Sequence, residues 1–202
     1  MITLEVAGKR YEGWTEVSIF RSIELISGSF NFSATSQNIN LFPISAGDAC
    51  KAYIDSTMVI NGYVDTVSVA YDYAHHSISI TGRDRTADFV DSTISTDSVK
   101  EFQGMELIPI IEKTLADHNS SDIKVINQAG DISAVFPDSE VSTSPISQTI
   151  FAFWETYARK RQVLLTTDGF GNIVLARAST ALAPIVLQNV VNGTANNIKS
   201  AS

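Results

Sequence analysis

The stretch TMVINGYVDTVSVAYDYAHHSISITGRDRTADFVDS (57–92) begins as a regular alternation of apolar and polar residues and ends in a cluster of charges. The alternation runs through 57–72 and 75–82, which is typical of two β-strands joined by a turn at Tyr73-Ala74. Five charged residues then fall within nine positions: Arg83, Asp84, Arg85, Asp88 and Asp91. Such a cluster belongs either to a catalytic site or to a structural corner.

The charged segment RDRTAD (83–88) lacks the neighbours that acid–base catalysis requires. No histidine or hydroxyl nucleophile is arranged beside it, and proton transfer needs such partners within hydrogen-bond reach. Bidentate Arg–Asp pairs are a strong means of holding a chain segment in place. We therefore favour a corner where these pairs hold the chain as it leaves a β domain. The alternative is an anion-binding site.

The residues before this stretch also have the pattern of short β-strands. The predicted strands are ITLEVAG (2–8), EVSIFRSI (16–23), SGSFNFSATS (27–36) and ACKAYID (49–55). Six or more short strands with turns at intervals of about 8–12 residues are typical of a small barrel or sandwich. Because open strand edges promote aggregation, we expect the sheet to close into an N-terminal β-barrel.

Helical spacing replaces the alternation in FQGMELIPIIEKTLADHN (102–119), where apolar residues recur three and four positions apart. Pro109 is tolerated in the first turn of a helix, so we expect this helix to begin near Leu107 or the next residue. DIKVINQ (122–128) predicts a further strand. The segment between the first barrel and residue 143 is therefore expected to be an α/β linker or insert.

SPISQTIFAFWETYARKRQ (144–162) predicts the clearest helix, with Ser144 as N-cap and Pro145 in the first turn. Its apolar stripe contains Ile146, Ile150, Phe153, Trp154 and Tyr157. The hairpin VLLTTDGFGNIVLARA (163–178) follows, with a DGFGN turn between its strands. We expect the aromatic stripe, together with Phe151, to pack on this hairpin rather than to bind a cofactor.

The composition argues against several classes of function. The chain has 14 basic and 22 acidic residues, a net charge of −8, whereas a protein that grips phosphates over its surface normally has a basic excess. The single cysteine, Cys50, is expected to be a small buried residue. Met1 begins directly on a strand pattern and no long apolar run follows, so we expect neither a signal peptide nor membrane insertion.

None of the histidines or glycine-rich segments has the spacing of a known site. His75 and His76 would point to opposite faces of a strand, and His118 lies at the end of a predicted helix. TTDGFGN (166–172) has strands on both sides, whereas a dinucleotide fingerprint lies between a strand and a helix. We therefore predict no catalytic, cofactor-binding or metal residues and no enzyme activity.

Three stretches carry a resemblance to the Mu-type phage baseplate hub family, which is related to the spike-hub proteins of contractile tails and type VI secretion. The stretches lie at 2–35, 44–92 and 144–178, and the block GYVDTVSVAYD with HSISITGRDRTADFVDS is the most specific of them. The resemblance implies a homotrimeric ring in which each subunit carries two β-barrel domains. It also implies that the ring contacts the tail tube protein and the central spike protein, and that DNA passes through without specific binding.

Together these observations predict an α+β, mainly β chain. Its parts are a first β-barrel domain (1–90), an α/β linker or insert (91–143), and a helix plus β-hairpin that start a second, apparently truncated β unit (144–202). The resemblance places it in the virion tail baseplate, assembled in the cytoplasm of a bacterial host. The alternatives are a peptidoglycan hydrolase of the tail tip, and a carbohydrate- or receptor-binding β module that would use Tyr11 and Trp14.

Overall fold

The alternating segments of the first half of the chain form one antiparallel sheet of seven strands. The computed structural model describes residues 1–35, 43–71, 76–94, 102–141 and 148–178. The strands are β1 (Ile2–Val6), β2 (Lys9–Tyr11), β3 (Glu16–Phe20), β4 (Ser29–Thr35), β5 (Ala49–Ile54), β6 (Thr57–Tyr71) and β7 (His76–Asp84). Their order in the sheet is β2-β1-β5-β6-β7-β4-β3. The strands that the alternation predicts are therefore present, with ends that differ by a few residues.

One face of this sheet carries the first hydrophobic core. Its buried side chains come from alternate positions of the strands, as the period of two requires. They are Leu4, Val6, Phe30, Phe32, Cys50, Ala52, Ile60, Val64, Ile78 and Ile80, with Ile44 from the loop before β5. The rings of Phe30 and Phe32 meet edge to face at 5.5 Å.

The closed barrel that we expected from the sequence is not found in the described residues. The sheet ends at β2 on one side and at β3 on the other, and no described ladder joins these two strands. β2 has only three residues, and the short loop 12–15 leads from it directly into β3. Trp14 of this loop packs on Phe32 at 4.9 Å and donates its Nε1 hydrogen to Tyr11 O. A loop and an aromatic side chain thus span the gap between the two edge strands.

Helices and a smaller sheet follow the first sheet. Their bounds are a short 3₁₀ turn (Arg85–Ala87), α1 (Asp88–Asp91), α2 (Leu107–Asp117), β8 (Val125–Asn127), α3 (Ile150–Lys160), β9 (Leu164–Thr167) and β10 (Ile173–Ala176). β10 lies at the centre of a three-stranded sheet, antiparallel to β9 and parallel to β8. The 3₁₀ turn and α1 were not expected, because charges rather than periodic apolar residues dominate that segment.

The described part of α3 begins later than the sequence pattern predicts. The expected cap Ser144 and the expected first-turn Pro145 lie outside the described residues. Thr149 is the N-cap of the observed helix, and its hydroxyl accepts a hydrogen bond from Ala152 N at 3.2 Å. A threonine in this position satisfies one of the amide groups that the first helical turn leaves unpaired.

The second hydrophobic core joins α2, α3 and the smaller sheet. Its aromatic residues include Phe89, Phe102, Phe136, Phe153, Trp154 and Tyr157, all of them buried. Phe89 lies 4.9 Å from Trp154, and Phe153 lies 4.9 Å from Tyr157. Because one core contains residues from both 91–143 and 144–178, the two segments pack together in the described structure. The domain boundaries given above remain a prediction.

Candidate assembly site at the junction of the two sheets

Arg83 connects the last strand of the first sheet to the elements around it. Its Nε lies 2.8 Å from Asp65 Oδ2 on β6, and its Nη1 lies 2.8 Å from Asp91 Oδ2 at the end of α1. Arg85 reaches farther, with its Nη2 2.5 Å from Asp122 Oδ2 in the segment before β8. Arg83 therefore contacts two carboxylates and Arg85 contacts one, each through a single bond, and the bidentate pairs that we expected are not formed in the described residues.

Buried hydrogen bonds hold the chain at the end of β7. The backbone N–H of Asp84 donates to Gly28 O at 2.9 Å, and the Thr86 hydroxyl donates to Ile26 O at 2.7 Å. Both acceptors lie just before β4, so the exit of one strand is tied to the entrance of its neighbour. The geometry is that of a structural corner.

Asp84 is the unusual residue of this corner. Its side chain is fully buried, and neither carboxylate oxygen has a hydrogen-bond partner in the described residues. The nearest cation is Arg21, whose Nη1 lies 3.9 Å from Asp84 Oδ2. Burial raises the pKa of the Asp84 carboxyl to about 6, and Arg21 and the nearby backbone amides only partly oppose this effect. A buried carboxylate in this state is energetically expensive.

Arg21 is the residue that joins the two sheets. Its guanidinium donates to Val59 O at 2.5 Å, Thr167 O at 2.7 Å, Thr167 Oγ1 at 2.9 Å and Asp168 O at 3.0 Å. Val59 belongs to β6, whereas Thr167 and Asp168 belong to the end of β9 and the turn that follows. No local pattern indicates this role, because Arg21 lies inside EVSIFRSI, which has an ordinary strand pattern.

The DGFGN turn (168–172) is preorganised by its own aspartate. Asp168 Oδ1 accepts hydrogen bonds from Phe170 N and Asn172 N, each at 2.9 Å. Asp168 Oδ2 accepts a third bond from Asn172 Nδ2, also at 2.9 Å. Side-chain bonds of this kind fix the shape of a turn before it meets any other surface.

The turn lies directly against the first sheet, and its glycines make this possible. A Cβ on Gly169 would be 2.2 Å from Met58 O, and one on Gly171 would be 2.6 Å from Arg85 Cγ. Asn61 on β6 donates to Phe170 O at 2.8 Å. The sequence predicts the turn, but the reason for its two glycines is visible only in this close approach.

The cysteine and the histidines that the sequence analysis considered as candidate site residues do not lie together in the structure. Cys50 is 2% exposed, and burial raises the pKa of its thiol to about 12, as expected for a residue of the core. His118 Nδ1 lies 3.0 Å from Thr114 O at the end of α2. His75 lies outside the described residues, and His76 is the first residue of β7. Within the described ranges, no group of three or more His, Cys, Asp or Glu residues could hold a metal ion.

The aromatic residues that could have bound a sugar or a cofactor all pack against the hydrophobic cores. Tyr11 and Trp14 are half-buried and pack against the first core, so they do not form an exposed platform for sugar rings. Ile150, Phe153, Trp154 and Tyr157 of the α3 stripe lie in the second core with residues of the following hairpin, as expected, and Phe151 packs against it. Ile146 lies outside the described residues. No helix in the described part of the chain is long and apolar enough to cross a bilayer.

An apolar groove of about 220 Å³ opens beside the corner. Leu25, Ile26, Val90 and Phe151 are among the residues that line it. Leu25 and Val90 are exposed. A groove of this size could accept an apolar side chain of another protein.

Comparison with known proteins identifies the class. Residues 1–84 match the family model described as Mu phage baseplate assembly protein GpP-like, N-terminal. The crystal structure of the prophage MuSo2 43 kDa tail protein from Shewanella oneidensis has a TM-score of 0.80 and 35% sequence identity, covering 92% of this chain and 57% of that one. These matches place the chain among phage tail proteins.

Within that class, the chain is a homologue of the Mu-type baseplate proteins, and the resemblance stated from the sequence is confirmed. It is 29% identical over 188 residues to the baseplate hub protein gp44 of Escherichia phage Mu, covering 92% of this chain and 48% of that protein. A tail protein from Neisseria meningitidis MC58 shares the fold, with a TM-score of 0.81 at 18% identity, covering 98% of this chain and 58% of that one. The chain thus spans about half the length of these relatives.

Proposed function

We propose that this chain is a structural, non-enzymatic subunit of a phage tail baseplate hub. In this role it forms a homotrimeric ring that joins the tail tube to the central spike of a contractile tail. DNA passes through the ring during ejection without specific binding. The observation that carries the proposal is the similarity to the MuSo2 tail protein, which extends over 92% of the chain at 35% identity.

Features of the described surface support a role in assembly. β2 and β3 each have a single neighbour in the described sheet, and an edge strand can pair with another chain. The groove lined by Leu25, Val90 and Phe151 offers apolar area for a protein contact. Head-to-tail contacts between identical subunits produce a closed ring when the rotation between neighbours closes.

The charge of the chain supports a conduit that does not retain DNA. Its net charge of −8 opposes the accumulation of phosphates on the protein surface. We propose that the protein is assembled in the bacterial cytoplasm and then remains in the virion tail. The peptidoglycan hydrolase and the carbohydrate-binding module are not favoured by any contact in the described structure.

Native mass spectrometry of the full-length protein tests this function. We expect a trimer that acquires additional mass when the spike protein of the same phage is added. A strict monomer in every condition contradicts the hub, because a ring requires contacts between subunits. A zymogram on bacterial cell walls tests the non-enzymatic part separately, and a zone of clearing would overturn it.

A further inference from the structure

We propose that the contact between the DGFGN turn (168–172) and the first sheet is a pH-sensitive latch, which Arg21 holds closed and the carboxylate of Asp84 weakens. The inference goes beyond the role in assembly, and it stands whether or not the chain forms a ring. It concerns the packing of the two sheets against each other within one chain.

The side-chain hydrogen bonds described between the turn and the first sheet come from Arg21 and Asn61. Arg21 makes four hydrogen bonds, three of which go to Thr167 and Asp168 and one to Val59. Asn61 adds one bond to the carbonyl of Phe170. When the turn lifts, the bonds to Thr167, Asp168 and Phe170 break together, while the hairpin keeps the bonds within its own turn.

The turn also covers Asp84. The Cβ position of Gly171 lies 3.1 Å from Asp84 Oδ1, so the backbone of the turn sits directly over the carboxylate. The backbone amides of Arg85 and Thr86 lie close enough to lower the pKa of the carboxyl, but neither makes a hydrogen bond of good geometry to its oxygens. Lifting the turn admits water, and water supplies the hydrogen bonds that the closed state withholds.

The direction of the pH dependence follows from this burial. In the closed state the pKa of Asp84 is raised from 3.8 to about 6, and in the open state hydration returns it toward its ordinary value. Between these two values the closed state holds a proton that the open state has lost. Raising the pH through this window therefore favours opening, by up to about 100-fold for a difference of about two pKa units.

Other charged and titratable groups lie around Asp84. Arg21 faces its carboxylate at 3.9 Å, Arg85 is its neighbour in the chain, and the thiol of Cys50 on β5 is neutral because burial raises its pKa to about 12. Asp168 is the other carboxylate that influences Asp84, and its charge favours the protonated form of Asp84 in the closed state. Since Asp168 moves away with the turn, this repulsion also favours opening.

Hydrogen–deuterium exchange of the full chain measures the latch. Peptides covering 57–62 and 164–173 report both sides of the contact, and their exchange is compared from about pH 4.5 to about pH 7.5 after correction for the intrinsic rate. In the wild type we expect the opening equilibrium to rise about 25-fold over this range, because the carboxyl of the open state is already largely ionised at about pH 4.5. Asp84→Asn should remove the rise and stay closed, because its side chain carries no charge at any pH.

Asp65→Asn is the matched control. It removes the same charge from a half-exposed carboxylate on the neighbouring strand, and it should keep the pH profile of the wild type. A flat wild-type profile, or an Asp84→Asn profile that rises like the wild type, overturns the latch. If Asp84→Asn does not fold, the carboxyl carbon resonance of Asp84 in the wild type decides. A midpoint near 6 supports the inference, and one near 4 refutes it.

Discussion

Arg21 and Arg83 show how burial determines what an arginine contributes at this junction. Arg83 is 41% exposed and pairs with Asp65 and Asp91, which are themselves accessible to water. Pairs of this kind contribute about 0–1 kcal/mol each, because solvent screens them. Arg21 instead donates to backbone carbonyls and faces a carboxylate that has no contact with solvent. Loss of Arg21 would leave that charge buried without a partner.

Gly171 provides a test of the close approach at residue scale. Its φ of +80° disfavours any side chain, and a Cβ would lie 2.6 Å from two carbons of Arg85. We expect Gly171→Ala to lower the free energy of unfolding by about 2–3 kcal/mol in urea denaturation.

Gly130 offers a matched control, because its φ of +79° is nearly the same while nothing lies within 4 Å of its Cβ position. Gly130→Ala should therefore show the backbone strain alone, about 1 kcal/mol. Equal losses in the two variants would mean that the turn does not press against Arg85 in solution.

At the scale of elements, Thr149 tests where α3 begins. Its hydroxyl accepts from Ala152 N, which no other described group satisfies. Thr149→Ala should cost about 1 kcal/mol of stability in thermal or urea denaturation, whereas Thr149→Ser should keep most of it. Thr156→Ala is the control, since this exposed hydroxyl donates to Ala152 O within the helix and caps nothing. If Ser is as damaging as Ala at position 149, the helix begins elsewhere.

The elements themselves were largely predictable, because their periods are local. The alternation in β5 to β7 and the helical spacing in α2 and α3 depend only on neighbours in the sequence. The open sheet could not be predicted in this way, because closure depends on whether β2 and β3 form hydrogen bonds with each other. The amino-acid pattern of a strand does not show which strand it pairs with. The parallel alignment of β10 with β8 was missed for the same reason.

Some residues of the candidate site could likewise be predicted from local sequence, and others depend on contacts between distant segments. Local sequence identifies Arg83, Asp84 and Arg85 as a corner, because charges follow a strand and a glycine. It cannot indicate Arg21, whose partners Thr167 and Asp168 lie 146 and 147 positions away. The burial of Asp84 without a hydrogen-bond partner also depends on packing, because the DGFGN turn covers this residue at the end of β7.

The described part of the molecule contains two hydrophobic cores with a polar junction between them. The first core lies on the seven-stranded sheet and includes Ile44 from the loop before β5, and the second contains α2, α3 and the smaller sheet. Ile26 and Phe89 enter the second core from the segments that flank β4 and β7, so the chain itself provides a covalent connection. The contacts of Arg21 with Thr167 and Asp168 add a polar connection beside the Arg85–Asp122 pair, and we expect them to help the two cores unfold together.

Differential scanning calorimetry of Arg21→Ala tests this coupling. We expect a loss of about 3 kcal/mol, because four hydrogen bonds disappear and Asp84 is left as an unpaired buried charge. We also expect the ratio of van't Hoff to calorimetric enthalpy to fall below that of the wild type, since two cores that melt independently do not behave as one two-state unit.

Arg10→Ala is the control, because Arg10 is 66% exposed and its contact with Glu5 spans 3.3 Å. A transition of Arg21→Ala that is shifted but as sharp as that of the wild type would mean that Arg21 stabilises the fold without coupling its halves. Cooperativity would then have to come from the chain crossings at Ile26 and Phe89.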